Sequence, residues 1–292
     1  MRDDNPPKST TSEAKKIIKG IEDSFAEYSS KWVSSSEFHN AGGDYLWAVS
    51  QLPSKGVALE IGTGSGRSTL TLLQYGCTVV GLDHNHHCLE ETRSLLQESG
   101  YPTEVIYRFS WDPVSRGGVR PSYHSLSETP SLKPGCSFLI EGDVQQVDLN
   151  GMRRGLTDDE IVGILKPLGF EIVVCWFPGT GMPLPADPGP GQVGISTYKV
   201  HMIRNAFEVA VRILQPGGYL HVVDRVHPES SLRETRRIFA RYNMNFNTVA
   251  EAERISSLEG YSGVILHQRS KEKAANVKLI SLLYQKPLTK VD

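Results

Sequence analysis

The segment VALEIGTGSGRSTL, residues 57 to 70, sets Glu60 two residues ahead of Gly62 and repeats glycine at Gly64 and Gly66. Without a Cβ, glycines between an apolar run and a helix let backbone N–H groups approach a ligand closely. Such turns often hold nucleotides, and spacing separates the kinds. A phosphate-binding P-loop ends Gly-Lys-Ser/Thr, whereas this turn ends Gly66-Arg67-Ser68. A dinucleotide fingerprint needs G-x-G-x-x-G; Gly62 and Gly64 match its first two positions, but Arg67 takes the third. A carboxylate at Glu60 would repel a pyrophosphate. It would suit a ligand bearing a cationic amino group and a sulfonium. Asp83 ends the next apolar run, 21 residues after Gly62, where acids commonly hydrogen-bond ribose hydroxyls. Asp143, in IEGDV, could accept from an adenine amino group.

Other residue types invite other chemistry. The run HNHHC (84–88) suggests a metal, but His86, His87 and Cys88 occupy adjacent helix positions that point different ways; no metal site is expected. His201 and His227 are candidate general bases, with packing or surface roles as the alternative. Trp176 and Phe177 either line a substrate pocket or pack the sheet edge. Trp32 and Tyr45, with Tyr28 and Trp47, either staple an N-terminal appendage or cover a substrate as a lid. Cys77, Cys88, Cys136 and Cys175 show no CxxC spacing, so they read as reduced, mostly buried thiols rather than zinc or iron–sulfur ligands.

These residues need elements to position them. Residues 12–28 have a helical pattern with Ile17, Ile18, Ile21 and Phe25 on one face. Strands are expected at 57–61, 78–82, 137–143, 170–176 and 218–224. Helices are expected at 67–75, 86–98, 157–168 and 198–214, the third starting with a capping box from Thr157 and Glu160. The alternation predicts an α/β fold, a doubly wound, mostly parallel sheet with helices on both faces. Two further helices are expected near 230–242 and 248–259. After them, SGVILHQ and VKLISLLYQK lie too close for a crossover and should pair as an antiparallel hairpin. Residues 107–135 read as an insertion, and the Gly/Pro-rich 178–196 as a loop at the carboxyl edge of the fourth strand. The expected division is an N-terminal appendage or lid over 1–50 and a main domain over 51–292.

The chain has 292 residues, 39% hydrophobic and 22% charged, with net charge −2, as in globular enzymes. The charge argues against nucleic acid as a partner, although Arg116, Arg120, Arg153 and Arg154 could form a local patch. No apolar run approaches the roughly 20 residues of a membrane span, and the start lacks the apolar core of a secretory signal. A cytoplasmic location without membrane partners is expected.

Four motifs in order carry a family resemblance: LEIGTGSG, VVGLD, LIEGDV and ILQPGGYLHVVD. With the terminal hairpin, the chain over about 50–286 resembles the Rossmann-like, seven-stranded S-adenosylmethionine-dependent methyltransferases. The resemblance implies S-adenosylmethionine as cofactor. It places Gly62, Thr63, Gly64 and Gly66 at the methionine part, Glu60 near its amino group, Asp83 and His84 at the ribose, and Asp143 and Val144 around the adenine. CWFPGTG departs from the acidic or Asn-Pro-Pro-Tyr ending common on the fourth strand, which weakens an amino-nitrogen reading, and the minimal fold lacks the 107–135 insertion.

Methyl transfer to a small-molecule acceptor is the expected function. RNA or protein methylation, a non-catalytic cofactor-binding module and aminopropyl transfer stand as alternatives; the glycine spacing and Glu60 disfavour an NAD oxidoreductase. A homodimer is left open.

Overall fold

Five of the apolar runs meet in one sheet. The computed structural model describes residues 8–113, 119–123, 131–142, 159–179, 195–226, 228–229, 231–241, 246–257 and 276–288. In chain order the strands are β1 (Val57–Ile61), β2 (Thr78–Asp83), β3 (Thr103–Ile106), β4 (Phe109–Pro113), β5 (Val119–Tyr123), β6 (Ser137–Glu141), β7 (Phe170–Trp176), β8 (Leu214–Val226), β9 (Asn247–Ser257) and β10 (Asn276–Gln285). The main sheet has eight strands in the order β3-β6-β2-β1-β7-β8-β10-β9. Strands β3 to β8 in this order are parallel, and β10 pairs antiparallel with both β8 and β9. The expected sheet has seven strands; the eighth, β3, adds to its free edge. The expected insertion contains β4 and β5, which form a separate antiparallel pair.

Alternation along the strands builds two apolar layers, as a doubly covered parallel sheet requires. On one face, Leu59, Ile61, Val173 and Cys175 pack with Leu165 of α5 (Asp159–Leu165) and with Ile203, Phe207 and Ala210 of α6 (Ile195–Ile213). On the other, Ala58, Ile172, Val174 and Trp176 pack with Leu72 and Leu73 of α3 (Arg67–Tyr75) and Leu96 of α4 (His86–Glu98). The four cysteines are unpaired, and three are buried. No described helix is long and apolar enough to cross a membrane.

The N-terminal helix departs from expectation. α1 runs over Lys8–Ala41, well past residue 28, and α2 follows at Asp44–Ser50. Beyond residue 28 the buried positions are Ser29, Ser35, Ser36 and His39, with Trp32 partly buried. They keep the three-to-four-residue spacing of one helical face. That face is small and polar rather than aliphatic, so an apolar pattern does not reveal it.

The C-terminal hairpin is a second correction. Residues 247–257, expected within a helix, form β9, and β10 pairs with them rather than with SGVILHQ. Ala250, Glu251, Ala252, Glu253 and Arg254 favour helices locally, but here they form an edge strand whose inward positions include Ala252, Arg254 and Ser256. SGVILHQ, Thr157 and residues 180–194 of the Gly/Pro loop lie outside the described residues, as does the side chain of Glu160.

A buried polar chain ties β7 to the hairpin. The Trp176 indole Nε1–H donates to His221 Nδ1 at 3.0 Å. The proton of a neutral imidazole then sits on Nε2, which donates to Ser281 Oγ at 2.7 Å. Burial holds the His221 pKa down at about 3, so the ring is neutral. Ser281→Ala strands this buried N–H, and urea unfolding should show a loss of roughly 1–3 kcal/mol.

Candidate functional site

Strand order decides where a ligand can sit. The chain leaves β1 towards β2 on one side and later returns to β7 on the other side. Connections diverge at that point, and open α/β sheets bind ligands in the resulting crevice beyond the strands' carboxyl ends. A cavity lies there. The ends of β1 and β2 supply Ile61, Gly62, Gly64, Leu82, Asp83 and His84, and Gly142 follows β6. Phe177, Pro178 and Gly179 follow β7, Met202 comes from α6, and Tyr28 and Trp32 of α1 form the cover.

The glycine turn is held from beneath. Gly64 N–H donates to Asp83 Oδ2 at 3.0 Å, and Asn85 N–H donates to Asp83 Oδ1 at 2.9 Å. One carboxylate therefore fixes both the turn before α3 and the approach to α4. Gly66 has φ +83°, and a Cβ there would come within 2.8 Å of Thr92 Cα on α4. Its glycine serves packing as much as backbone conformation. Gly64 has φ +56°, and a Cβ there would fall on the Trp32 indole.

Glu60 and Thr63 sit elsewhere. Neither is part of the cavity lining. Glu60 is 1% exposed, under the turn, and accepts from Thr69 Oγ1 at 2.6 Å. Burial pushes its carboxyl up to about 7, against hydrogen bonds from Ser68 and Thr69, and nearby Asp83 adds to the rise. Thr63 is buried beneath the turn, and its methyl fills the space a Cβ on Gly81 would need.

The aromatic candidates divide. Trp32 and Phe177 line the cavity, Phe177 as a buried member of the core as well, whereas Trp176 and Tyr45 are core residues outside the lining. Trp176 keeps the parity of Ile172 and Val174, which turns it into the sheet's packed face; Tyr45 packs edge-on against Phe177 at 5.4 Å. Phe177 has φ 49°, the one positive φ at a non-glycine residue among those described. Such a conformation costs of order 1–3 kcal/mol and persists only where the surroundings enforce it. Here Phe177 stacks on His39 at 4.8 Å, and the Arg225 guanidinium lies over both the Phe177 and Trp32 rings, at 5.8 and 5.4 Å.

Of the candidate bases, His201 is exposed on α6, outside the cavity lining that its neighbour Met202 joins. His227, Asp143 and Val144 lie outside the described residues. His84 does line the cavity, with its Nδ1 3.9 Å from Asp83 Oδ1. The expected divergence of His86 and His87 does not hold. Their ring centroids are 4.2 Å apart, because both side chains, in the first turn of α4, lean towards Glu22 on α1. Sequence reasoning missed Met202, Gly142 and Arg225. The register of strand ends brings Gly142, after β6, to the cavity and sets Arg225, near the end of β8, over its aromatic wall, while Met202 arrives from α6 packed across the sheet.

No protein-family model and no curated protein sequence matches the chain. Solved structures do resemble it. The [4+2]-cyclase SpnF is 12% identical with a TM-score of 0.47, covering 85% of this chain and 81% of that one. The N-methyltransferase NodS from Bradyrhizobium japonicum WM9, in complex with S-adenosyl-L-homocysteine, is 11% identical with a TM-score of 0.43, covering 85% and 87%. The YcgJ protein from Bacillus subtilis is 14% identical with a TM-score of 0.44, covering 85% and 99%. The fold is Rossmann-like: a doubly wound, mostly parallel sheet. That statement rests on the parallel strand order, the switch at β1 and the antiparallel end, and the activities of these proteins remain their own.

The raised Glu60 pKa has a measurable sign. A carboxyl whose folded pKa lies above its unfolded value of about 4.5 stabilises the fold below that value and loses the contribution as pH rises towards 7. At about 1.4 kcal/mol per pKa unit, the change amounts to roughly 3 kcal/mol. Glu60→Gln, neutral throughout, should gain up to that much on the wild type between pH 5 and pH 8 in urea unfolding. A gap that does not change with pH would show that Glu60 keeps an ordinary pKa.

Proposed function

We propose that the protein is an S-adenosylmethionine-dependent methyltransferase acting on a small-molecule acceptor. One observation carries the reading: the Gly64 turn is hydrogen-bonded to Asp83 and faces a crevice beyond the strand ends, covered by the aromatic side chains of α1. The donor set fits the cofactor. Two backbone donors orient Asp83, and a carboxylate can accept more than two hydrogen bonds, which suits ribose hydroxyls. Gly62 and Gly64 let the main chain approach the methionine part, and Gly142 leaves the adenine side unobstructed by a side chain. Trp32 and Tyr28 close down where Gly64 and Gly179 lack a Cβ. A ligand of the cofactor's size therefore enters with α1 displaced, and the helix covers it afterwards.

The bound cofactor would supply a sulfonium-linked methyl group for in-line displacement. The chain's part is to orient the acceptor and exclude water. Trp32 and Phe177 give the acceptor an aromatic wall, and Met202 gives it an apolar floor. A pocket closed by a helix suits a small acceptor better than a polymer. His84, inside the cavity, and His227, just beyond the end of β8, are the proton acceptors to test.

Calorimetric titration with S-adenosylhomocysteine, and with NAD in parallel, checks the reading. S-adenosylhomocysteine should bind and NAD should not. Asp83→Ala should weaken binding by at least about a hundredfold, since it removes the carboxylate proposed to hold the ribose together with the support of the turn. Binding of NAD alone would overturn the cofactor assignment. Binding without methyl transfer to any member of a broad small-molecule panel, but with transfer to RNA or protein, would overturn the acceptor class.

A further inference from the structure

A second cluster of chemistry-bearing side chains lies outside the cavity, where α1 crosses the start of α4. Glu22 Oε2 stands 3.0 Å from His86 Nε2 and 3.9 Å from His87 Nε2. One donor atom from each residue lies within 4.8 Å of the other two. Four-coordinate zinc with bonds of about 2.0–2.1 Å sets its donors roughly 3.3 Å apart, between the 3.0 Å and 3.9 Å that separate Glu22 from the two imidazoles. Side-chain exposures of 32% for Glu22, 27% for His86 and 38% for His87 leave an ion a way in and water a place to complete the shell. On its other nitrogen, His86 faces a buried carboxylate: Nδ1 is 3.9 Å from Glu141 Oε1. At that distance the carboxylate acts on the imidazole through its charge rather than through a hydrogen bond.

We propose that Glu22, His86 and His87 form a binding site for a divalent first-row transition cation, zinc by preference. Two imidazoles and one carboxylate are the donor chemistry such ions select over magnesium or calcium. The position gives the ion a task. Glu22 belongs to α1, and the two histidines belong to α4, whose N-cap Asn85 already holds α1 through a 3.0 Å hydrogen bond from Nδ2 to Phe25 O. An ion there would pin α1 six residues before Tyr28 and ten before Trp32, the side chains that cover the cavity. The ion therefore holds the cover shut. This consequence rests on the methyltransferase reading; the ion site itself does not.

Chelator-treated full-length protein is titrated with zinc in the absence of any cofactor. The expected result is one equivalent bound, with slower hydrogen exchange along α1. Glu22→Gln and the double variant His86→Gln/His87→Gln should each lose that equivalent, or weaken it by at least about a hundredfold, beyond the loss typical of an outer-shell partner. Cobalt substitution of the wild type needs no variant, and should give the visible absorption of a four-coordinate nitrogen–oxygen site. An equivalent that persists in both variants, or no stoichiometric binding by the wild type, overturns the site and identifies Glu22–His86 as an ordinary ion pair. Zinc should also slow both association and release of S-adenosylhomocysteine. If zinc binds but S-adenosylhomocysteine does not, the cofactor reading fails and the ion site stands.

Discussion

The site depends on one carboxylate. Asp83, at the end of β2, accepts from the backbone of Gly64 on one oxygen and of Asn85 on the other. The first bond closes the turn that starts α3. The second sets Asn85, whose side chain accepts from His87 N–H at 3.0 Å to cap α4 and donates to the α1 carbonyl of Phe25. Strand, turn and two helices are thus referred to a single charged group that is 8% exposed. A buried carboxylate is costly unless it is hydrogen-bonded, and backbone donors are among the least mobile partners available. The arrangement that makes Asp83 affordable is also the one that aims it at the crevice.

The cover follows from the same geometry. α1 is tied to the turn along its length: Ser36 meets Ser65, Glu37 Oε1 accepts from Arg67 Nε at 2.7 Å, and Trp32 lies in the space left by Gly64. Its far end is fixed by His39 and Asp44, paired at 2.7 Å, with Ser256 of the hairpin donating to the same carboxylate at 2.9 Å. The exposed Glu37–Arg67 tie is individually modest, whereas the buried His39–Asp44 pair is costly to break and anchors this end of the helix. Trp32 and Phe38 of α1 also pack against the apolar layer that holds Trp176 and Phe177, so opening the cover withdraws those two rings from that layer while the strands and the helices behind them stay packed.

Where the sequence was legible, local chemistry and tertiary environment agreed. The bounds of β1, α3, α4 and β7 were visible because glycine or polar residues punctuate them and their apolar spacing has one period. The long α1 was not, since its continuing face is serine and histidine. β9 was not, since its helix-favouring residues were recruited as an edge partner for β10. In the site, Gly62, Gly64, Asp83 and His84 could be read from their position after strands, and all four line the cavity. Trp176 and Phe177 are both buried, yet a single step separates their roles: the first stays in the strand and packs in the core only, while the second leaves it at a positive φ and reaches the cavity. The convergence of Glu22 with His86 and His87 joins residues more than sixty positions apart, and no local pattern signals it.

The central claim is that the Asp83-supported turn is the cofactor cradle and α1 its cover. Hydrogen exchange of the full chain, with and without S-adenosylhomocysteine, tests it most directly. The account predicts slowed exchange at Gly62–Gly66 and at residues 83–85, together with slowed exchange in α1 from Tyr28 to Ser36. Bound ligand that leaves both segments unchanged and protects a different part of the sheet would contradict it.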